Sequence, residues 1–289
     1  MSNFAYKTIE NDAALIDWIS TEPRAFSVAQ MTSDTELQHV YAKKLERYVA
    51  AGILEHFGDR RGWYRKRDSD LVPMDLENVI VNPVDIWLPF ELSDLVELYP
   101  GNLVIIAGAK SSGKSALVLN TIYQNDSRWD ISYFNSEMGP EELRKRLDLF
   151  RHRSISQWNF KAYSRANNFS DVIRPGPSNL NIIDFLEVHD EFYTIGRELK
   201  KIHDRLKGAI AIVCLQKNPG QEVGLGGWRS MEVTRLALSV DFDRVKITEA
   251  KNPRRDDIHP RGLYRTFKIV NGSDIKTTSK WYRQEEKGE

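Results

Sequence analysis

The residues with the clearest chemical pattern run from Gly108 to Ser115 and read Gly-Ala-Lys-Ser-Ser-Gly-Lys-Ser. They match the phosphate-binding pattern G-x-x-x-x-G-K-[ST] at every fixed position. Glycines let such a loop turn sharply and aim consecutive backbone N–H groups at a phosphate chain, and the positive end of the next helix adds to that field. We expect Lys114 to reach the β- and γ-phosphates and the Ser115 hydroxyl to bind Mg²⁺. The pattern predicts a site for a nucleoside triphosphate.

The elements around this loop are those that the chemistry requires. The apolar run Leu103–Ala107 precedes the loop as a strand, and an amphipathic helix follows it. A chance match in a Gly/Ser-rich turn would lack this strand–loop–helix setting. The residues expected to contact the triphosphate are therefore Gly108, Ala109, Lys110, Ser111, Ser112, Gly113, Lys114, Ser115 and Ala116.

From Gly101 onward, strand-length apolar runs alternate with helix-type stretches, which predicts an α/β fold with a mostly parallel sheet flanked by helices. The last two runs are separated by a polar turn and should form a strand and its returning partner. Residues 150–179 fit no pattern. The predicted strands are Leu103–Ala107, Ile131–Asn135, Leu180–Asp184, Ala209–Leu215, Leu238–Val240, Val245–Ala250 and Tyr264–Val270.

The second predicted strand leads directly into Ser136-Glu137-Met138 and then GPEELRKRL. Together with the phosphate loop, this stretch resembles the RecA-like P-loop ATPases, and within them the DnaB-type replicative helicases and their single-core relatives. The resemblance covers roughly residues 85–272. It implies an oligomeric, Mg²⁺-dependent ATPase that acts on DNA, with ATP bound between subunits and Glu137 as the general base for the attacking water. Alternatively, Glu137 is an acidic residue that favours the first turn of a helix.

The same resemblance assigns further roles. Asp184 ends an apolar strand and would hold the Mg²⁺ water shell beside Ser115. Gln216 ends the next strand and would sense the γ-phosphate; alternatively it caps a sheet edge. Lys251 or Arg254, on the polar turn between the last two predicted strands, would complete the active site of a neighbouring subunit. Alternatively, this turn is only a solvated basic hairpin. The sequence does not decide between Lys251, Arg254 and Arg255.

Two regions are candidates for DNA contacts. The glycine-rich segment after Gln216 carries Lys217 and Arg229 at its margins, and the resemblance places that loop against DNA; a flexible surface loop is the alternative. Near the amino terminus, five cations surround Trp63 and Tyr64 on a hairpin. This cluster could bind a phosphate backbone or dock a protein, and it consists of Arg60, Arg61, Arg65, Lys66 and Arg67.

The amino-terminal region has its own organisation. Residues 12–67 read as three helices followed by a two-stranded ribbon, which resembles a small α+β winged helix-turn-helix domain. Residues 68–100 contain four prolines among acidic residues and read as a connector, packed in part because of its aromatic side chains. We therefore expect a winged-helix-like domain over 1–67, a linker over 68–100 and a RecA-like ATPase domain over 101–289.

Composition limits the alternatives. The chain of 289 residues has 41 basic and 41 acidic side chains. Residues 1–100 carry a formal charge of −7 and residues 101–289 one of +7, which permits polyanion binding by the larger part. The single cysteine, Cys214, excludes a disulfide framework and is expected to be buried and inert. No apolar run is long enough to span a membrane and no secretory signal is visible, so we expect a cytoplasmic protein without a membrane partner.

These observations lead to one principal hypothesis and one alternative. The principal hypothesis is a Mg²⁺-dependent, DNA-binding ATPase that forms a homo-oligomeric ring or filament. It would act as a helicase-like or strand-handling motor in DNA replication or recombination. The alternative is a switch in which ATP controls assembly, as in a DNA-binding regulator or helicase loader without motor activity.

Overall fold

The computed structural model describes residues 12–21, 25–59, 61–67, 71, 73–186, 194–218, 220–224 and 227–284. The side chains of residues 12–14, 20–21 and 228–229 are not part of this description. The chain divides into two compact units, Met1–Val79 and Ile80–Glu289.

The smaller unit contains three helices and a small antiparallel sheet. Its core includes Leu15, Phe26 and Leu45. Asp34 caps the helix that begins at Thr35, because its carboxylate accepts hydrogen bonds from the backbone N–H groups of the first turn. The elements are α1 (Asp12–Thr21), β1 (Phe26–Ser27), α2 (Val28–Met31), α3 (Thr35–Ala50), β2 (Leu54–His56) and β3 (Trp63–Lys66). The three helices and the hairpin agree with the sequence analysis, whereas β1 is an additional short strand.

The larger unit is an α/β structure. Its helices are α4 (Lys114–Asn125), α5 (Pro140–Leu147) and α6 (Thr194–Leu206). Its strands are β4 (Leu103–Gly108), β5 (Asp130–Asn135), β6 (Phe160–Ser164), β7 (Asn179–Leu186), β8 (Ile210–Gln216), β9 (Leu236–Val240), β10 (Arg244–Ala250), β11 (Leu263–Val270), β12 (Asp274–Thr277) and β13 (Tyr282–Arg283). All seven strands predicted from the sequence are confirmed, and β6, β12 and β13 are additional.

These strands form one sheet in the order β12-β11-β10-β9-β4-β8-β7-β5-β6, with β13 paired to β11. The strands from β9 to β6 run parallel to one another. The extension of β10, β11 and β12 is antiparallel. Because β4 lies between β8 and β9, the loop that follows it opens at the middle of the sheet, where the ends of three strands meet.

Helices cover both faces of the parallel part of the sheet. One core cluster joins α4 to strand residues such as Ile106 and Ile182. A second cluster joins α6 to the opposite face, through residues such as Ile105 and Val213. Because β4 and β8 are covered on both faces, they read as continuous apolar runs rather than alternating ones.

Part of the expected connector packs on this core. Ile86, Leu88 and Phe90 are buried in the first cluster, and the Asn125 carboxamide binds the backbone N–H and C=O of Trp87 at 2.9 Å each. Residues 80–100 are therefore included in the larger unit, although the sequence analysis placed them in the connector. In the part of the chain that the structure describes, no helix is both long enough and apolar enough to cross a membrane.

Candidate functional site

The loop from Gly108 to Lys114 has a backbone that needs glycine. Gly113 has φ +94°, in the left-handed region, immediately before α4. A Cβ on Gly108 would overlap Ser112 Oγ and lie 2.9 Å from Lys114 Cγ. The Lys114 ammonium donates hydrogen bonds to the carbonyl oxygens of Gly108 and Ala109, both at 3.0 Å. The loop is therefore closely wrapped around the lysine side chain.

A cavity of about 640 Å³ opens above this loop. It brings together the predicted phosphate-binding residues from Lys110 to Ala116 with Glu137, Asp184 and Gln216. These positions come from four different strand ends, and parallel pairing places those ends at one edge of the sheet. The remaining lining residues are Arg146, Phe185, Ile269 and Gly272.

Asp184 is held by a neighbouring strand. Its side chain is only 4% exposed, and Asp184 Oδ2 accepts a hydrogen bond of 2.8 Å from the fully buried Tyr133 hydroxyl. Burial, together with the nearby Asp184 charge, raises the pKa of Tyr133 far above its ordinary value, so the phenol stays a donor. Cys214 is buried as expected, and burial and then Asp184 raise the pKa of its thiol, which makes it a poor nucleophile.

Glu137 follows β5 in a turn that two neighbours stabilise. Asn135 Oδ1 accepts hydrogen bonds from the backbone N–H groups of Glu137 and Met138, at 3.2 and 3.1 Å. The Ser136 hydroxyl bonds both the N–H and the C=O of Phe185 at 3.1 Å. Because Phe185 follows Asp184, these contacts link the turn that carries Glu137 to the strand that carries Asp184.

Gln216 lies at the end of β8, directly opposite Gly108 in the parallel register. The backbone N–H of Lys217 donates to the Gly108 carbonyl at 3.1 Å. This hydrogen bond joins the start of the loop to the residue that follows β8. The position suits a residue that contacts both a ligand in the cavity and the segment that follows.

The sequence did not predict four of the lining residues, Arg146, Phe185, Ile269 and Gly272. Arg146 lies on α5 one turn after the buried Leu143, and it pairs with Glu142 at 3.0 Å while remaining 42% exposed. Phe185 lies 5.9 Å from the Lys114 ammonium, measured to the ring centroid. Ile269 lies against Gly113 so closely that a Cβ on the glycine would overlap it. Among these residues, only Arg146 could have been found from the sequence, through its helical spacing in α5.

The lining fits a triphosphate and a magnesium ion. The buried Ser112 hydroxyl has no hydrogen-bond partner among the described residues, so a ligand oxygen would satisfy it. Ser115 and Asp184 supply a hydroxyl and a carboxylate at the same cavity. No group of three or more His, Cys, Asp or Glu side chains suited to a metal occurs in the described ranges. Mg²⁺ beside phosphates needs only one or two protein ligands, so the donor set is sufficient.

Lys251 and Arg254 do not line this cavity. The Lys251 ammonium bonds the Glu232 carbonyl at 3.2 Å. Arg254 is 46% exposed, with its Nε 3.9 Å from Glu97 Oε1. Both lie after β10 at the surface of the unit, where a side chain can reach another molecule.

The glycine-rich loop differs from expectation at Lys217. The Lys217 side chain is 1% exposed and its ammonium forms an ion pair with Asp241 Oδ1 at 2.7 Å. It also donates to the Gln221 carbonyl at 2.9 Å. As placed, Lys217 stabilises the loop and offers no exposed charge to a nucleic acid. The Arg229 side chain lies outside the described residues, although its backbone belongs to a short 3-10 helix.

The hairpin of the smaller unit carries part of the expected cationic cluster. Arg61 and Lys66 are exposed, whereas Arg65 forms an ion pair with Glu55 on the neighbouring strand. Tyr64 is buried, and its hydroxyl donates to Glu46 Oε1 at 2.8 Å. Burial and this carboxylate raise the pKa of Tyr64 to about 12. The ring therefore belongs to the core and not to a contact surface. Arg60 lies outside the described residues.

Comparison with known proteins concerns the fold. No family model and no curated protein sequence matches the chain. The chain is similar to the crystal structure of a KaiC-like protein from Pyrococcus horikoshii OT3, with 16% identity and a TM-score of 0.52 over 69% of this chain and 100% of that one. It is also similar to a RadB recombinase, with 16% identity and a TM-score of 0.47 over 63% and 94%. The similarity to the KaiC-like structure shows that the larger unit shares its α/β fold.

Proposed function

We propose that the protein is a Mg²⁺-dependent ATPase that binds DNA and works as a homo-oligomer. The observation that carries this proposal is the cavity in which the phosphate loop, Glu137, Asp184 and Gln216 meet. A carboxylate beside the loop suits hydrolysis, because it can accept the proton of an attacking water. Its place just after the strand next to β7 is where the DnaB-type resemblance expects that base.

The residues of this cavity would divide the work. The backbone N–H groups from Lys110 to Ser115 and the Lys114 ammonium would bind the phosphates. Ser115 and Asp184 would hold Mg²⁺, which neutralises charge on the phosphate oxygens when bound. Glu137, set by the Asn135 carboxamide, would take the proton from water. Gln216 would transmit the state of the phosphates to the loop after β8.

Hydrolysis would need a second subunit. We assign Lys251 or Arg254 as the cation that enters the site of a neighbouring copy, since both lie at the surface and outside their own cavity. Such a cation stabilises charge that develops on the γ-phosphate. Replacing this cationic residue should therefore lower the ATP turnover of the assembled protein. The ATP affinity of an isolated subunit should stay unchanged.

We further propose that the smaller unit is a winged helix that binds DNA. Its three helices and its three-stranded sheet in the order β1-β3-β2 support this reading. Arg61 and Lys66 are exposed cations on the hairpin that can contact phosphates. Replacing either residue by alanine should weaken DNA binding evenly across sequences and lower the salt slope by about 1. An unchanged slope in both variants would support a protein-docking role for the hairpin.

The principal experiment measures ATP hydrolysis with and without single- and double-stranded DNA. It compares the wild type with Lys114→Ala, which should lose ATP binding, and Glu137→Gln, which should bind ATP but not hydrolyse it. Glu141→Gln is the matched control, because it makes the same change on a neighbouring acidic residue of α5 that does not line the cavity. Unchanged turnover in Glu137→Gln would remove that residue from its proposed role.

The same assay separates a motor from a switch. A helicase-like or strand-handling motor in replication or recombination should show DNA-stimulated turnover and directional strand displacement. A switch should hydrolyse ATP slowly, independently of DNA, while its assembly depends on ATP. We favour the motor, because an assigned base, metal ligand and γ-phosphate contact all belong to the same cavity.

A further inference from the structure

The hairpin of the smaller unit turns one face to the core and the other outward. His56 of β2 pairs with Tyr64 of β3, and Tyr64 is buried in the core of the unit. The next pair is Phe57 and Trp63, joined by a hydrogen bond of 3.0 Å from the Phe57 N–H to the Trp63 carbonyl. Because successive side chains of a strand point to opposite faces, Phe57 and Trp63 are neighbours on the outer face of the hairpin.

This outer face presents apolar side chains to the surroundings. Phe57 is 45% exposed, and Ile53, on the same side of the hairpin, is 47% exposed. Trp63 is half-buried. None of the three belongs to the core cluster formed by the described residues of this unit. Apolar side chains grouped at a surface in this way mark an interaction site.

Cations border the two rings. Arg61 is exposed at the turn of the hairpin and Arg67 at its other end. Arg65 lies between them and forms an ion pair with Glu55, and the other acid of the described hairpin residues is the exposed Asp59 at the turn. Rings flanked by cations suit a ligand that combines flat apolar groups with negative charge. The unpaired bases and phosphates of a single nucleic acid strand have these properties.

The helix α3 is less suited to binding a duplex. A helix that enters the major groove depends on cations that neutralise the phosphates beside it. In α3 the cations and acids nearly balance, because Lys43, Lys44 and Arg47 are accompanied by Glu36 and Glu46. Stacking needs no such excess of positive charge, since every base has an apolar face. The hairpin therefore offers the stronger contact, and that contact requires bases that are not paired.

We propose that the outer face of the hairpin is a stacking platform for unpaired bases, and that the smaller unit binds single-stranded DNA in preference to a duplex. Neighbouring strands lie about 4.8 Å apart, so Phe57 and Trp63 can each stack on one of two bases along a strand. Arg61 and Arg67 would contact the phosphates on either side. The inference deepens the proposed function by naming the form of DNA, and it rests on the DNA-binding part of that function.

The test measures, by fluorescence anisotropy, how the full chain binds a labelled oligo(dT) of about 12 nucleotides and an oligo(dT)–oligo(dA) duplex of the same length. The single strand should bind at least about tenfold more tightly, because paired bases cannot stack on the rings. Phe57→Ala and Trp63→Ala should each weaken binding of the single strand by about 5- to 150-fold and leave duplex binding unchanged. Phe57→Tyr and Trp63→Phe keep a ring and should restore most of the lost affinity. Val40→Ala is the matched control, because Val40 is 48% exposed in the same unit but lies on α3.

A second measurement locates the contact independently of affinity. Ultraviolet crosslinking of an oligo(dT) that carries 5-iododeoxyuridine, followed by mass spectrometry, should place adducts on Phe57 or Trp63. A duplex bound as tightly as the single strand, wild-type affinity in both alanine variants, or adducts only outside residues 53–67 would each overturn the proposal.

Further results separate this inference from the proposed function. The circular-dichroism melting curve of each variant should match that of the wild type. A loss of single-strand affinity in Val40→Ala alone would assign the contact to α3 and overturn the stacking platform, while DNA binding by the unit would stand. A wild type that binds neither form of DNA would contradict the proposed DNA binding as well. Its ATP hydrolysis without DNA tests the ATPase separately.

Discussion

The hydrogen bond from Tyr133 to Asp184 allows a test of how the cavity is built. Tyr133→Phe keeps a fully buried ring and removes only the hydroxyl that donates to Asp184 Oδ2 at 2.8 Å. A hydrogen bond to a charged group contributes about 1.5–3 kcal/mol. Because Asp184 is itself 4% exposed, water cannot readily replace the lost donor. We expect the free energy of unfolding to fall by about this amount.

The expected change is large enough to measure by thermal unfolding. For a unit of this size, each kcal/mol lowers the melting temperature by about 2–4 °C, so the variant should lose about 3–12 °C. Tyr123→Phe is the matched control: its ring stacks on Phe150 at 5.4 Å, and its hydroxyl makes no hydrogen bond within the described residues. We expect the control to melt within about 1 °C of the wild type.

The same variant tests the role of Asp184 in activity. A less firmly held carboxylate should raise the Mg²⁺ concentration needed for half-maximal ATP hydrolysis by about tenfold, which corresponds to about 1.4 kcal/mol. If Tyr133→Phe and Tyr123→Phe had the same melting temperature, the hydrogen bond would not hold Asp184 in place. If it melted lower but kept the wild-type Mg²⁺ dependence, Asp184 would not be a metal ligand.

Three further predictions concern separate contacts. Gly113→Ala should weaken binding of a fluorescent ATP analogue by more than about tenfold, because an alanine is strained at φ +94° and its Cβ would overlap Ile269. Gly101→Ala is the control, since Gly101 is also at positive φ but has open space around it, and this variant should bind the analogue like the wild type. Equal effects of the two substitutions would contradict this reasoning. Asn135→Ala should lower kcat without changing ATP affinity, and a reduced affinity alone would assign Asn135 to binding. The raised pKa of Tyr64, about 12, favours the protonated phenol in the folded state, so denaturant titrations should show stability lost from pH 10 to 12 in the wild type but not in Tyr64→Phe; a parallel loss in both would refute it.

The parts of the fold that the sequence could predict are those with strong local patterns. β4 and β8 are covered on both faces, so their apolar runs stand out, and the phosphate loop needs its glycines for local backbone reasons. β6 was missed because FKAYS is short and lies at the sheet edge, where only one side is paired. β1 has only two residues, and no local pattern marks so short a strand.

Contacts between distant residues could not be predicted. The link between the Glu137 turn and Asp184 depends on β5 pairing with β7, which places Asn135 opposite Asp184. The burial of Lys217 depends on Asp241, which follows a strand on the other side of β4. In both cases sheet order, and not local sequence, decides which charges meet. The sequence predicted which residues line the cavity more reliably than which distant residues form hydrogen bonds or ion pairs with them.

The most direct measurement is a crystal structure with Mg²⁺ and a non-hydrolysable ATP analogue. We predict that the triphosphate lies along residues 108–115, with the Lys114 ammonium on its phosphate oxygens and the metal between Ser115 and Asp184. A triphosphate bound elsewhere, or a metal that contacts neither Ser115 nor Asp184, would contradict the proposed ATPase site.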